Sequence, residues 1–219
     1  KVTPVKFRRE GNVGYVRIST FNDETTTDTV KAIRSLQKEI GKDLLGFVID
    51  LRSNPGGLLD QAVSISSLFL QQGKNIVSIK GKGKKQFASF KSNSSDMTQG
   101  LPLVVLVNSG SASASEIVAG ALQDYKRAII VGTKSFGKGS VQRISPLDNL
   151  GGLRLTIALY YTPLGRSIQK EGIIPDIKIE QQLDLQTISS DDRLRESYFK
   201  DAISKEQKEK VKKIASSNK

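Results

Sequence analysis

The spacing of apolar positions along the chain changes period several times, and each change marks an element. Val30, Ile33, Leu36 and Ile40 recur at helical spacing, which predicts an amphipathic helix over about residues 26–40, after a short strand at 15–19. Residues 44–50 form a continuous apolar run, the pattern of a strand buried on both faces. It breaks at Arg52-Ser53-Asn54-Pro55-Gly56-Gly57, and helical spacing returns through Leu59, Val63 and Leu68 over 58–70. Two exposed strands, 74–79 and 87–90, are predicted around a lysine-glycine turn, followed by a polar loop over 93–100. The run 101–107 reads as the most buried strand and leads straight into a cluster of serines. A helix over 114–124 follows, with Ile117, Val118, Ala121 and Leu122 as its apolar stripe, then a buried strand at 128–131. From 141 to 179 the pattern is β-rich, with turns at 149–152 and 163–165. Beyond Glu180 the chain is polar, with one helix predicted over 191–203.

Strand–helix alternation with uninterrupted apolar strands predicts an α/β core, helices covering a largely parallel sheet, with a β-rich C-terminal part. Three glycine-bearing loops, starting at Leu51, Asn108 and Gly132, each follow the carboxyl end of a predicted buried strand. In open α/β sheets that edge is where ligands and catalytic groups gather.

Composition narrows the chemistry. The 219 residues suit one domain of ordinary to large size. There is no histidine and no cysteine, which excludes a Ser-His-Asp triad, a thiol nucleophile and a Cys/His metal cluster. The net charge of +12 lies largely in polar stretches, Lys80 to Lys85 and Lys205 to Lys213. Neither stretch has the aromatic interleaving of a base-stacking surface, so nucleic acid is not the expected partner. The longest apolar run is too short to span a bilayer. The chain begins at Lys1 rather than Met, which reads as a fragment of a longer protein.

Without histidine, a nucleophilic hydroxyl needs another group to take its proton. Ser113-Ala114-Ser115-Glu116 is a capping box at the head of an apolar helix, and it also sets a serine beside free backbone N–H groups at the positive end of that helix. Ser109, Ser111 and Ser115 are rivals that the spacing does not separate from Ser113. Asp124 lies eleven residues on, about 16 Å away at helical rise, too far for direct contact. The loop Gly132-Thr133-Lys134-Ser135-Phe136-Gly137-Lys138-Gly139 misses a nucleotide-binding P-loop by one residue, because Gly139 has no hydroxyl and the following residues alternate like a strand. Lys138, flanked by two glycines, is instead a candidate base, with Lys134 as its rival. Its pKa would have to fall from about 10.4 towards neutrality, about 4 kcal/mol of desolvation. Gly56 and Gly57 present bare N–H groups suited to an oxyanion. Nucleophile, base and oxyanion donors together point to a Ser-Lys dyad.

From Gly14 to Ile179 the sequence resembles the carboxy-terminal processing peptidases, the tail-specific Ser-Lys endopeptidases. The carrying segments are Gly14-Tyr15-Val16-Arg17-Ile18, Asp50 to Gly57, Gly110 to Asp124, Ser135 to Gln142, and Tyr161-Thr162-Pro163-Leu164-Gly165-Arg166-Ser167-Ile168. The resemblance implies Ser113 as nucleophile, Lys138 as general base and Gln142 as the residue orienting it. It implies oxyanion donors at the backbone of Gly56, Gly57 and Ala114, and structural roles for Glu116 and Asp124, with no metal or cofactor. On a straight strand Gln142 would lie about 13 Å from Lys138, so the backbone is expected to fold back near Gly139. The implied fold is a protease core related to the Clp protease and crotonase superfamily. Residues 1–13 would then be a linker or strand after a PDZ domain, 14–182 the peptidase core, and 183–219 a partly helical tail. Implied partners are proteins with exposed C-termini and the PDZ domain of the full-length chain. Membrane association would run through segments outside this sequence, and a homo-oligomer is compatible with the family. The implied setting is the bacterial periplasm or cell envelope, or the thylakoid lumen. A rival reading on the same scaffold is a non-catalytic module binding apolar ligands, as in the interphotoreceptor retinoid-binding proteins.

Overall fold

The computed structural model describes residues 3–179 apart from 82, 84 and 147–150. The helix predicted over 191–203 lies outside the described residues. Strands β1 (Val5–Glu10) and β2 (Val13–Ile18) form an antiparallel hairpin at one edge of a six-stranded sheet. β3 (Gly46–Asp50), β6 (Leu103–Val107), β7 (Ile129–Gly132) and β10 (Ile177–Lys178) continue it in parallel, in the order β1-β2-β3-β6-β7-β10. The second sheet is antiparallel and runs β5-β4-β9-β8, from β4 (Asn75–Lys80), β5 (Gln86–Lys91), β8 (Ser140–Pro146) and β9 (Gly152–Tyr161).

Among the described residues, three helices supply the cover. α1 (Thr25–Ile40) lays Ala32, Ile33 and Leu36 against β1 and β2, with Asp28 in its first turn and Lys38 in its last, both favourable to the helix dipole. It stops at Gly41, whose φ of 65° suits glycine and whose N–H returns to the Gln37 carbonyl. α2 (Leu59–Ser67) packs between α1 and α3 (Ala114–Asp124). Phe21, Phe47, Leu36, Ile65, Phe69 and Leu122 are almost wholly enclosed at the centre.

β4 departs from the exposed strand expected: Ile76 and Val77 are fully buried. The strand is sandwiched laterally between β5 and β9 and lies against α2 and α3, a placement no local pattern encodes. The polar loop after β5 is also built in. Asp96 accepts hydrogen bonds from the Thr98 N–H and hydroxyl and pairs with Arg127, whose guanidinium also donates to Thr98.

β3, β6 and β7 are lateral neighbours running the same way, so the loops after Asp50, Val107 and Gly132 emerge side by side, as the chain pattern predicts. Gly132 is needed there for packing as well as for its φ of 129°. A Cβ on it would stand 2.0 Å from the Val107 carbonyl oxygen.

Candidate active site

The loop after β6 turns into α3 at Ser113, the residue that caps the helix. Its φ of 55° and ψ of −110° are a conformation that a side-chain-bearing residue adopts only under strain. The helix dipole and unpaired amides converge on this point. The rival serines are removed by their partners. The hydroxyl of Ser111 donates to the Leu51 carbonyl at 2.8 Å, and that of Ser115 to the Asn54 carbonyl at 2.9 Å. Both side chains, and Ser109, are buried, whereas Ser113 is only half-buried. The serines that spacing could not rank are thus sorted by which of them staple the loop after β3 to the helix start.

That loop is shaped by Asn54, which is fully buried and was not singled out by sequence. Its amide donates to the Ile18 carbonyl, and its Oδ1 accepts the Gly56 N–H at 2.9 Å. The Gly56 amide, expected as an oxyanion donor, is therefore already engaged, because an Asx turn closes on it. The N–H groups of Gly57 and Ala114 have no partner among the described residues. The two segments touch: a Cβ on Gly56 would come within 2.9 Å of both the Ala114 nitrogen and the Ser113 Cβ. The absence of a side chain lets this backbone reach the serine.

Opposite, the loop after β7 runs into a strand rather than a helix, which removes the P-loop reading. Glu116 organises it. The carboxylate is fully buried and accepts four hydrogen bonds: from Ser113 N–H at 2.8 Å, Ser135 hydroxyl at 2.6 Å, Gly137 N–H at 2.7 Å and Lys138 N–H at 2.9 Å. One side chain thus ties the backbone of the candidate nucleophile to that of the candidate base. Burial pushes its carboxyl up, the bonds from Ser135, Gly137, Ser113 and Lys138 pull it back only in part, and the group is left raised to about 7.

The Lys138 side chain is exposed and makes no hydrogen bond or ion pair with any described residue. Gln142 is exposed on β8, and no hydrogen bond between described residues joins it to Lys138. The chain does not fold back at Gly139 as expected. It enters β8 directly at Ser140, and the irregularity in pairing falls between Val141 and Gln142. Asp124 is remote from the serine, at the far end of α3, where it accepts from the Leu164 N–H at 2.8 Å and pairs with Arg166. The sequence offered the capping box as the one signal for Glu116. Nothing local announced Ser135, whose hydroxyl donates to Glu116 19 residues earlier, or the bond from Asn54 to the Ile18 carbonyl 36 residues away, whereas the Asn54 bond to the Gly56 N–H is a local Asx turn.

Asp50, at the end of β3, collects Tyr15, Arg17 and both the backbone and guanidinium of Arg52. Burial pushes its carboxyl up, but these partners, Arg52 foremost, outweigh it and hold the group below its ordinary range. This network anchors the start of the glycine loop.

The family model "Peptidase family S41" matches residues 12–179. A carboxy-terminal-processing protease of Bartonella bacilliformis is 55% identical over 184 residues, which is 84% of this chain and 42% of that protein. A chloroplastic C-terminal processing peptidase of Tetradesmus obliquus is 39% identical over 78% of this chain and 36% of its own length. Among solved structures, the photosystem II D1 C-terminal processing protease superposes with a TM-score of 0.75 at 34% identity, over 85% of this chain and 51% of that one. The chain spans about two fifths of the length of these curated relatives.

Proposed function

Because the chain belongs to peptidase family S41, we propose that it is the catalytic part of a serine endopeptidase that cleaves proteins at or near their C-termini. The observation carrying this reading is the arrangement around Ser113. It is the half-exposed serine of its run, held at a strained helix start, with two unpartnered amides beside it and Glu116 linking it to the backbone of Lys138. In the proposed reaction the Ser113 hydroxyl attacks the scissile carbonyl carbon while neutral Lys138 takes its proton. The oxyanion is received by the N–H groups of Ala114 and Gly57. The C–N bond then breaks, the amine leaves with the proton from Lys138, and water releases the acyl group from Ser113 by the same route. Gln142 would orient the lysine. Since Lys138 stands exposed, the dyad requires its side chain to swing in over Ser113. The relatives' bacterial and chloroplast sources support a setting in the bacterial cell envelope or an organelle of bacterial descent.

Degradation of an unfolded protein by wild type, Ser113→Ala, Lys138→Ala and Lys138→Arg tests the reading. All three variants are expected to lose nearly all activity while staying folded, the arginine because guanidinium does not give up its proton. Turnover by Lys138→Arg at the wild-type rate would remove the dyad. A folded wild type that cleaves nothing but takes up apolar ligands would favour the non-catalytic module.

A further inference from the structure

The end of β9 and the segment following it grip the loop that carries Lys138. Tyr160 N–H donates to the Gly139 carbonyl at 2.7 Å, and Lys170 N–H to the Gly137 carbonyl at 2.8 Å. Ile173 N–H donates to the Ser135 hydroxyl, which itself donates to Glu116. In the middle of this strap lies Gln169, only 6% exposed, whose Oε1 accepts the Gly139 N–H at 2.9 Å. The approach is close: a Cβ on Gly139 would meet the Gln169 backbone nitrogen at 2.4 Å, and one on Gly137 would meet Lys170 at 3.1 Å. Both glycines are therefore contact surfaces for the strap, besides freeing the backbone around the lysine.

Taken with Glu116, the pattern is specific. Three consecutive amides, Gly137, Lys138 and Gly139, are all claimed by side chains, the first two by Glu116 and the third by Gln169. Such a turn would ordinarily leave its N–H groups to water. Here two buried acceptors from distant parts of the chain hold it. Glu116 belongs to the helix that begins at Ser113, whereas Gln169 belongs to the strap.

We propose that Gln169 is a positioning residue for the base: with Glu116 it forms a clamp on the amides of Gly137–Gly139 that sets where the Lys138 side chain leaves the backbone relative to Ser113. The proposal rests on Lys138 being the base. It adds that the freedom of the exposed lysine is confined to its side chain, because its backbone is locked. The physical need is plain. A flexible four-carbon stem reaches a hydroxyl productively only from a fixed root, and an error of about 1 Å at the root can cost about a hundredfold in rate.

The test uses the full chain with Gln169→Leu, Gln169→Asn and Gln169→Glu, each checked for folding by circular dichroism. Gln169→Leu removes the acceptor, Gln169→Asn withdraws it by one methylene, and Gln169→Glu keeps an oxygen in place. The leucine and asparagine variants are expected to lower kcat by about 10- to 100-fold with KM changed less than about threefold. The glutamate variant should recover most of kcat. Hydrogen exchange at the Gly139 amide, read by NMR, should accelerate in the leucine and asparagine variants and stay slow in the glutamate one. Wild-type kcat in a folded Gln169→Leu would overturn the proposal. So would Gln169→Glu behaving no better than Gln169→Leu, or unaltered exchange at Gly139. If Gln169→Leu does not fold, the asparagine–glutamate contrast decides by the same criteria. Loss of the dyad reading would show separately, as activity surviving in Lys138→Ala.

Discussion

Glu116 is the residue on which the two halves of the site converge, and its protonation state has a calculable consequence. All four of its contacts are donors, so only the carboxylate satisfies them together. A carboxylic acid would aim a proton at another donor and lose at least one contact. With its pKa raised to about 7, the native state holds a proton on Glu116 that the unfolded chain releases near pH 4.5. The sign follows: the native state binds more protons between those values, so stability declines as pH rises from about 4.5 to about 7, by about 3 kcal/mol. Activity should move the opposite way, since the clamp on Lys138 is complete only when Glu116 is ionised. Glu116→Gln is expected to flatten the stability profile, measured by urea unfolding at pH 5 and pH 8. It should also lower kcat and abolish the acid limb near neutrality. An unchanged acid limb in the folded variant would assign that limb to another group.

At the scale of elements, the β1–β2 turn and the loop between β3 and α2 show how glycine requirements differ. Gly11 and Gly57 both have positive φ, 58° and 147°. Around Gly11 an added Cβ meets nothing within 4 Å, while at Gly57 it would stand 2.1 Å from the Phe21 carbonyl oxygen. Gly11→Ala should cost about 1 kcal/mol, the conformational penalty alone. Gly57→Ala should cost more than about 3 kcal/mol and remove peptidase activity, because the backbone must retreat from Phe21 and carry its amide away from Ser113. Thermal melts and a peptidase assay on the two variants check the contrast. The Asp50 network acts on the same loop. Its carboxyl is held low, so its contribution is present above the ordinary aspartate range and lost as pH falls through the native value. Asp50→Asn should cost about 2 kcal/mol at neutral pH and less in acid.

Over the whole molecule, α3 is the common ruler. Its first turn carries Ser113 and Glu116. Its last turn carries Asp124 and Gln123, which fasten the strap through Leu164, Arg166, Ile174 and Asp176. Gly120 lets the strap lie close, since a Cβ there would meet Thr162 at 2.9 Å. An acid far from the serine therefore fastens the segment that holds the Lys138 loop. Asp124→Ala is expected to cost about 1–3 kcal/mol, because Leu164 N–H loses its acceptor, and to lower kcat without touching substrate. Combined with Gln169→Leu, the loss in kcat should be smaller than the sum of the separate losses, as both act through one strap. Full additivity would mean that Asp124 and Gln169 act independently rather than through the strap.

Periodicity and residue type alone determined the helices α1 and α3, the buried strands β3, β6 and β7, and the meeting of their three loops at one sheet edge. These are carried by neighbours three, four or two positions apart, and short-range spacing is what a sequence displays. The missing histidine and the glycine-flanked lysine determined the kind of chemistry to look for. The tertiary structure decided which serine stays half-exposed, because Ser111 and Ser115 are claimed by carbonyls of a loop some 60 residues earlier. It decided that β4 is interior and that Glu116 and Gln169 close on the same three amides. Those outcomes depend on hydrogen bonds between segments brought together only when both sheets have packed, and a buried polar group records its partner in space, not in its neighbours along the chain.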